Sequence, residues 1–313
     1  MKKTIAEYKP IILGIDHGYG NIKTAHRVFL TGVDRLAGEA ITDDHILRYN
    51  GVSYAIGESH LTYLDNKTQD ENFYILTLAA IAEELHYRHM NEANLILAVG
   101  LPLTWMKTQQ QSFREYFRQD RDPEFSYKGV TYRVHIHRIM IFAQGLAEAL
   151  CAGAIQGDNL IVDIGNGTMN IVRVIDSEPI EKSLSTENYG VSTCVRKITA
   201  ALSKTLGRSV DERIIESLLR NGCDGRTDDI ARITRQIACE YTAEIMKRLA
   251  VHGYDGKYMN LFVFGGGGCL LKHYGDISSK KNVTVIDDIC ANAKAYETMA
   301  QLQISRRENR KTA

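Results

Sequence analysis

The chain has 313 residues, 44% hydrophobic and 24% charged, a globular balance with room for two hydrophobic cores. Lysine plus arginine number 38 and aspartate plus glutamate also number 38, so no basic excess marks a nucleic-acid backbone as a direct partner. The six cysteines are scattered without C-x-x-C spacing, which leaves zinc and dithiol chemistry without a motif and fits a reducing, cytoplasmic setting.

No run of about 18 apolar residues is present, and MKKTIAEYKP lacks the apolar region of a secretory signal. In chain order, strand-like segments are expected at 11–16, 21–29 and 52–56. A helix follows in DNKTQDENFYILTLAAIAEELHYRH. Asp70 and Glu71 suit its N-terminus, and Ile75, Leu78, Ala82 and Leu85 recur at spacings of three and four. LILAVGLP (95–102) reads as a buried strand stopped by Gly100 and Pro102, and TQQQSFREYFRQ as a helix. EFSYKGVTYRVHIHRIMIF alternates like a hairpin turning at Lys128-Gly129, and FAQGLAEALCAG (142–153) reads as a small-residue helix.

NLIVDIGNGTMNIVRVID then reads as two strands joined by a turn. VSTCVRKITAALSKTL is a helix closed by Gly207. SVDERIIESLLRNG opens on a capping box, Ser209-x-x-Glu212, and ends at Gly222. DDIARITRQIACEYTAEIMKRLAVHG runs to Gly253, and LFVFGGGG (261–268) is a buried strand emptying into four glycines. NVTVIDDICANAKAYETMAQLQ is a strand and a helix. SRRENRKTA is a basic end, either a solvated tail or a partner-binding arm. Strands alternating with helices predict an α/β protein. With four prolines and no long Pro/Gly/Ser linker, two domains would be joined by compact crossings.

Two segments repeat one design. In GIDHGYGNIK (14–23) an apolar run ends in Asp16 and meets Gly18 and Gly20; in NLIVDIGNGTMNIV (159–172) another ends in Asp163 and meets Gly165 and Gly167, 147 residues later. Ligands collect at strand ends in α/β sheets, and glycines let backbone N–H groups converge on phosphate. A carboxylate beside phosphate calls for a cation, and Mg²⁺ commonly uses one or two carboxylates with substrate oxygens. Two such hairpins, one per domain, would grip a polyphosphate from both sides, with Lys23 adding charge and Thr168 a hydroxyl. A single D-x-G-x-G is more often an ordinary turn; its repetition behind two buried strands is what favours a site. For Gly265–Gly268, close approach to a flat ligand and a flexible loop both stay open. The chain has neither G-x-x-x-x-G-K-[ST] nor a placed G-x-G-x-x-G with a ribose-binding acid.

These segments, in order, resemble the five nucleotide-site motifs of the actin, heat-shock-chaperone and sugar-kinase superfamily. GIDHGYGNIK is similar to the first phosphate motif, IMIFAQGLAEALCAG to the first connecting helix, and NLIVDIGNGTMNIV to the second phosphate motif. LFVFGGGG is similar to the adenosine motif and VIDDICANAKAYE to the second connecting helix. DNKTQDENFYILTLAAIAEEL, AVGLPL and D-x-G-x-x-N-x-K resemble the bacterial ParM/StbA-type plasmid-segregation ATPases. The resemblance implies an actin-like α/β fold: two domains, each with a mixed sheet flanked by helices, around an interdomain nucleotide cleft. Domain I would be 1–155 with a C-terminal helix, 288–313, packing back on it, and domain II 156–287. It further implies ATP or GTP with Mg²⁺, self-assembly into cytoplasmic filaments controlled by hydrolysis, and plasmid DNA held through a DNA-binding adaptor, with no direct nucleic acid and no membrane.

By the same resemblance Asp16 and Asp163 would serve the metal and catalysis. Gly18, Tyr19, Gly20, Asn21 and Lys23 would line the phosphates, as would Gly165, Asn166, Gly167 and Thr168 opposite. Gln144 would orient the attacking water, with Glu148 one turn later as the other candidate. Arg213 and Glu216 would flank the base, or form a surface i,i+3 ion pair, and Gly265, Gly266 and Gly267 would face the adenosine. Asn166 and Asn170 depart from the family pattern Asp-x-Gly-Gly-Gly-Thr-x-Asp; Asn166 tolerates φ > 0, which would keep the turn. A small-molecule kinase and a non-polymerising regulatory ATPase are the competing readings.

Overall fold

In the computed structural model, which describes residues 4–38, 42–57, 68–153, 156–277 and 280–312, the chain forms two units. One is Met1–Cys151 with Cys290–Ala313, the other Ala152–Ile289. The first unit begins with β1 (Ile11–His17), β2 (Asn21–Lys23), β3 (Val28–Leu30), β4 (Val33–Arg35), β5 (Ile46–Tyr49) and β6 (Val52–Ile56). It continues with α1 (Asn72–Tyr87), β7 (Glu92–Leu101), α2 (Met106–Tyr116), β8 (Glu124–Tyr127), β9 (Val130–Ala143) and α3 (Leu146–Cys151). The second unit holds β10 (Asp158–Ile164), β11 (Met169–Ile175), β12 (Glu178–Pro179), β13 (Ser185–Glu187), α4 (Val191–Leu206), α5 (Glu212–Asn221), α6 (Asp229–Val251), β14 (Asn260–Phe264), α7 (Gly266–Tyr274) and β15 (Val283–Val285). The chain then returns to the first unit as α8 (Ala291–Thr312).

The first unit's sheet runs β3-β2-β1-β7-β9-β8-β5-β6-β4, with β1, β7 and β9 parallel and the other pairs antiparallel. The second unit's sheet runs β12-β11-β10-β14-β15, with β13 on β11. There β10, β14 and β15 are parallel and β11 antiparallel to β10. Each unit therefore centres on one strand with an antiparallel partner on one side, closing a hairpin, and a parallel partner on the other. The two similar sequence segments occupy those central positions, β1 and β10.

Alternation decides what each face of β1 meets. Leu13 and Ile15 enter the core under α1, where Phe73, Ile75, Leu78 and Ile81 are also fully buried. Ile12 faces the cluster of α8, with Tyr296 and Ala300. Gly14 shares that face because α8 lies against it: a Cβ there would stand 2.0 Å from Ala293 O. Gly100 on β7 is small for the same reason, with Tyr296 Oη in the space a Cβ would need. It lies inside the strand rather than stopping it.

Several local expectations change. Segment 21–29 breaks into β2 and β3 because Thr24 N–H donates to Arg27 O and Thr24 Oγ1 accepts from Arg27 N–H, a tight turn. β4 and β5 are too short for periodicity to reveal. The α1 segment is helical from Asn72, and its residues 65–67 lie outside the described residues. The hairpin turns at Lys128 (φ 51°) and Gly129 (φ 76°) as read from the sequence. Segment 142–153 is only partly helix: β9 continues through Ala143, Gly145 turns at φ 75°, and α3 has six residues. No capping box opens α5; Asp211 is its N-cap and accepts from Arg213 N–H at 2.9 Å. Gly207 and Gly222 end α4 and α5 with positive φ. The basic end is helix through Thr312, an extension of α8 instead of a tail, with Arg306–Arg310 exposed.

One polar network ties α1 to the β2–β3 turn and α8. Glu84, fully buried, accepts from Thr24 Oγ1 at 2.7 Å and from Arg88 Nε and Nη2 at 2.9 and 2.8 Å, and lies 2.7 Å from His26 Nδ1. Arg88 also reaches Glu297, whose Oε1 accepts from Gly14 N–H at 3.0 Å. Burial raises the Glu84 carboxyl, but Thr24, Arg88 and His26 outweigh it and hold it below its ordinary 4.5. A depressed carboxylate contributes stability that is complete above the unfolded value and lost as pH falls through the folded one. Glu84→Gln is therefore expected to cost about 2 kcal/mol at neutral pH, with the gap to the parent narrowing below 4.5 in thermal melts across pH.

Candidate functional site

In the first unit the hairpin register sets Lys23 directly across from Asp16. Lys23 Nζ lies 2.9 Å from Asp16 Oδ2, on a carboxylate only 4% exposed. Gln144 reaches the other oxygen, its Nε2 donating to Asp16 Oδ1 at 2.9 Å. Gln144 stands just after β9, with its backbone N–H on Leu101 O at 2.8 Å, and Gly145 then turns the chain into α3. One carboxylate is thus held by a cation and an amide at the C-terminal ends of parallel strands, where ligands collect in such sheets. Glu148, on α3, is 4% exposed.

The turn between these strands is tight. A Cβ on Gly18 would stand 2.8 Å from Asn21 O. The Tyr19 ring packs edge-on against Phe73, centroids 5.8 Å apart, and Tyr19 O accepts from Thr31 Oγ1 at 2.8 Å. Tyr19 anchors the turn through its ring. His17 points to the other side of β1, buried, with Nε2 2.7 Å from Thr77 Oγ1 and its ring stacked on Phe117. It is a core residue.

The second hairpin repeats the spacing with different chemistry. Asp163 pairs with Asn170 on β11, seven residues on, as Asp16 pairs with Lys23. Asn170 is neutral, and its Oδ1 accepts from Thr186 Oγ1 at 2.9 Å on β13. Gly165 N–H donates to Thr168 O at 2.8 Å, closing the turn. Asn166 does not have positive φ, so the tolerance expected of it is not used. The turn is held instead by the start of α4. Val191 N–H donates to Gly165 O at 3.0 Å and Ser192 N–H to Asn166 O at 2.9 Å. Gly190 permits this approach, since a Cβ there would stand 2.4 Å from Asn166 O. Sequence reading missed Gly190; the signal was a lone glycine directly before a strongly periodic helix.

Asp163 is also flanked by Phe264 on β14, which leads into the glycine run. That run is no flexible loop. Gly265 (φ 76°, ψ −172°) is the N-cap of α7, and Gly266 starts the helix. A Cβ on Gly265 would stand 2.5 Å from Ile164 O and 2.7 Å from Asp163 Oδ1; one on Gly267 would overlap Ile164. The glycines bring the N-terminus of α7, the positive end of its dipole, onto the end of β10 beside the Asp163 carboxylate. Gly167 differs: its φ is not positive, and among the described residues no atom beyond its own and its chain neighbours' lies within 4 Å of a Cβ built there. Neither the backbone nor a neighbouring atom requires glycine at that position.

Arg213 and Glu216 lie exposed on α5. The Arg213 side chain is 91% exposed, with Nε 3.8 Å from Asp211 Oδ1, and no Arg213–Glu216 ion pair occurs among the described residues. The structure encloses neither side chain. Among the described residues no group of three or more His, Cys, Asp or Glu could cage a metal. Asp16 and Asp163 are single carboxylates. A lone carboxylate of this kind fits a cation that keeps its waters and takes ligand oxygens, as Mg²⁺ does, and does not fit one needing an all-protein cage.

Two family models match the chain. Residues 14–146 match the actin-like proteins N-terminal domain, and residues 161–274 the archaeal actin homologue MreB-like C-terminal domain. The chain belongs to the actin-like proteins. The fold is actin-like, with mixed sheets flanked by helices in two domains. Ta0583, an archaeal actin homologue, is similar with TM-score 0.77 and 17% identity over 93% of this chain and 99% of that one; Ta0583 has also been solved in complex with ADP. The pSK41 ParM apo structure gives TM-score 0.72 at 17% identity, covering 95% and 98%. Bacillus thuringiensis ParM with ATP gives 0.72 at 12%, covering 94% and 99%, and the Alp12 filament structure 0.70 at 15%, covering 94% and 98%. No curated protein matches the chain by sequence. Among the described residues, no helix is long and apolar enough to cross a membrane.

Proposed function

We propose that this actin-like protein is a nucleotide-dependent polymerising ATPase whose hydrolysis limits filament lifetime. The observation that carries this reading is the convergence of Lys23 and Gln144 on Asp16 at the strand ends of the first unit. A carboxylate held on both oxygens is positioned to bind a Mg²⁺ through the metal's water, and Gln144 to orient an attacking water. Each hairpin offers a backbone turn for phosphate oxygens: Gly18, Gly20 and Asn21 in one, Gly165, Asn166, Gly167 and Thr168 in the other. Asp163 is the acid of the second. Gly265–Gly267 would face the adenosine, with Arg213 and Glu216 beside the base. ATP and ADP complexes and a filament among similar structures support nucleotide binding and self-association. By the same likeness to ParM proteins we assign the filament to plasmid DNA segregation through a DNA-binding adaptor. A chain without net charge fits an indirect link to DNA.

Pelleting and light scattering with ATP, GTP or no nucleotide, with phosphate release in parallel, test the proposal. Nucleotide-dependent pelleting with slow hydrolysis is expected. Turnover that requires an added small-molecule acceptor, without pelleting, would identify a kinase instead. Gln144→Ala is expected to bind nucleotide and assemble while hydrolysing at least about tenfold more slowly. Hydrolysis at the parental rate would remove Gln144 from the water-positioning role.

A further inference from the structure

The outer half of β9 in the first unit carries a feature that nucleotide turnover does not use. Ile136 pairs with Leu95 of β7 but Arg138 pairs with Ile96, so His137 is an extra residue, a β-bulge. The bulge exchanges the strand's two faces. Before it Val134 and Ile136 enter the core under α1; after it Ile139 and Ile141 do. Arg138 thereby falls on the face of Met140 and Phe142, beside α8, instead of inside the core.

β8 pairs with β9 only through Arg133, and the outer backbone beyond it is met at Ile136, whose N–H donates to Arg121 O at 2.7 Å. From Arg138 onward β9 has a strand partner only on the β7 side among the described residues. Gln144 N–H points to β7, on Leu101 O. Alternation along a parallel ladder therefore turns the amides of Ile139 and Ile141 to the opposite edge. That edge floors a cavity of about 570 Å³. One wall is α2 and the turn after it, where Gln110, Arg114 and Arg118 recur every four residues; the other is α8, with Gln303 and Arg307. With Arg138, four arginines line the cavity and no aspartate or glutamate does. Arg114 is hydrogen-bonded to Gln111 Oε1 at 3.1 Å, and none of the four is ion-paired among the described residues.

We propose that this groove binds an acidic, extended peptide segment of a partner protein, which adds as a strand to β9 along Arg138–Ile141. The open edge supplies main-chain hydrogen bonds, and four residues of strand span about 13 Å. Successive side chains of the added strand point to opposite faces. One set meets Arg114 and Arg118 of the α2 wall, the other Arg138 and Arg307 beside α8. Consecutive carboxylates are therefore what the groove selects, since guanidinium forks match carboxylates two-pronged. An uncompensated basic edge also blocks pairing with uncharged strands.

Fluorescence anisotropy of a fluorescein-labelled hexaglutamate peptide at low salt, with the full chain, tests this. Saturable binding is expected. It should weaken at least tenfold in the Arg114→Glu, Arg138→Glu double variant and at least threefold in Arg118→Ala, Arg307→Ala. The second pair is exposed, so that variant should melt like the parent and serves if the first does not fold. The same peptide N-methylated at alternate amides should bind at least tenfold more weakly, because a methylated amide cannot enter the ladder. No binding to the parent would overturn the proposal. So would equal binding by the N-methylated peptide or stronger binding of tripolyphosphate in competition, either of which would make the groove a simple anion site.

Discussion

Asp163→Ala is expected to bring nucleotide turnover to background, a loss of at least about 100-fold, or roughly 3 kcal/mol of transition-state stabilisation. Asp163 is 9% exposed at the end of β10, between Asn170 of β11 and Phe264 of β14, beside the start of α7. A carboxylate there is held in place by the backbone on both sides and by the positive end of a helix dipole. Unlike Asp16, it has no lysine across the hairpin, because Asn170 stands where Lys23 does in the first. In the proposed function this carboxylate serves the bound cation through its charge. Phosphate release measures the effect, and thermal melting separates it from unfolding. Loss of the acid beside α7 should cost only about 1 kcal/mol. Asp163→Asn keeps the shape and removes the charge, so it should lose turnover nearly as completely. Turnover within about threefold of the parent in either variant would remove Asp163 from the reaction.

Much of this arrangement was legible because it rests on patterns with fixed periods. β1 and β10 showed as apolar runs ending in one acid, and the hairpin at Lys128-Gly129 as alternation broken by a residue pair that accepts positive φ. What stayed hidden depends on contacts remote in sequence. Gly14 and Gly100 look like strand punctuation, yet each is small because α8 returns from the chain's far end to lie on them. Asn166 is a residue type that tolerates positive φ, yet it does not adopt it and its turn is held by amides of Val191 and Ser192. Lys23 and Gln144 stand 121 residues apart in sequence, and only the sheet register and the short α3 reveal that both meet on Asp16. The four glycines of 265–268 fit a loop or a close approach equally well on composition, because glycine's low helix propensity conceals that three of them begin α7.

Gly265 and Gly167 yield a paired test, because the described chain requires glycine at the first and not at the second. Gly265 has φ 76° and ψ −172°, a region reached almost only by glycine, and a Cβ there would meet Ile164 O at 2.5 Å and Asp163 Oδ1 at 2.7 Å. Gly265→Ala must move α7 off β10, and strain with lost packing should cost about 3 kcal/mol or more, seen as a melting temperature lower by about 10 °C. Gly167→Ala meets neither obstacle, since its φ is unstrained and the space around a Cβ is open. It should melt within about 2 °C of the parent. If the Gly165–Thr168 turn cradles phosphate, the added methyl occupies the ligand's side, and affinity for ATP should fall at least about tenfold with stability intact. A Gly167→Ala chain that binds ATP as the parent does would mean that the phosphates lie elsewhere, whatever Gly265→Ala does to stability.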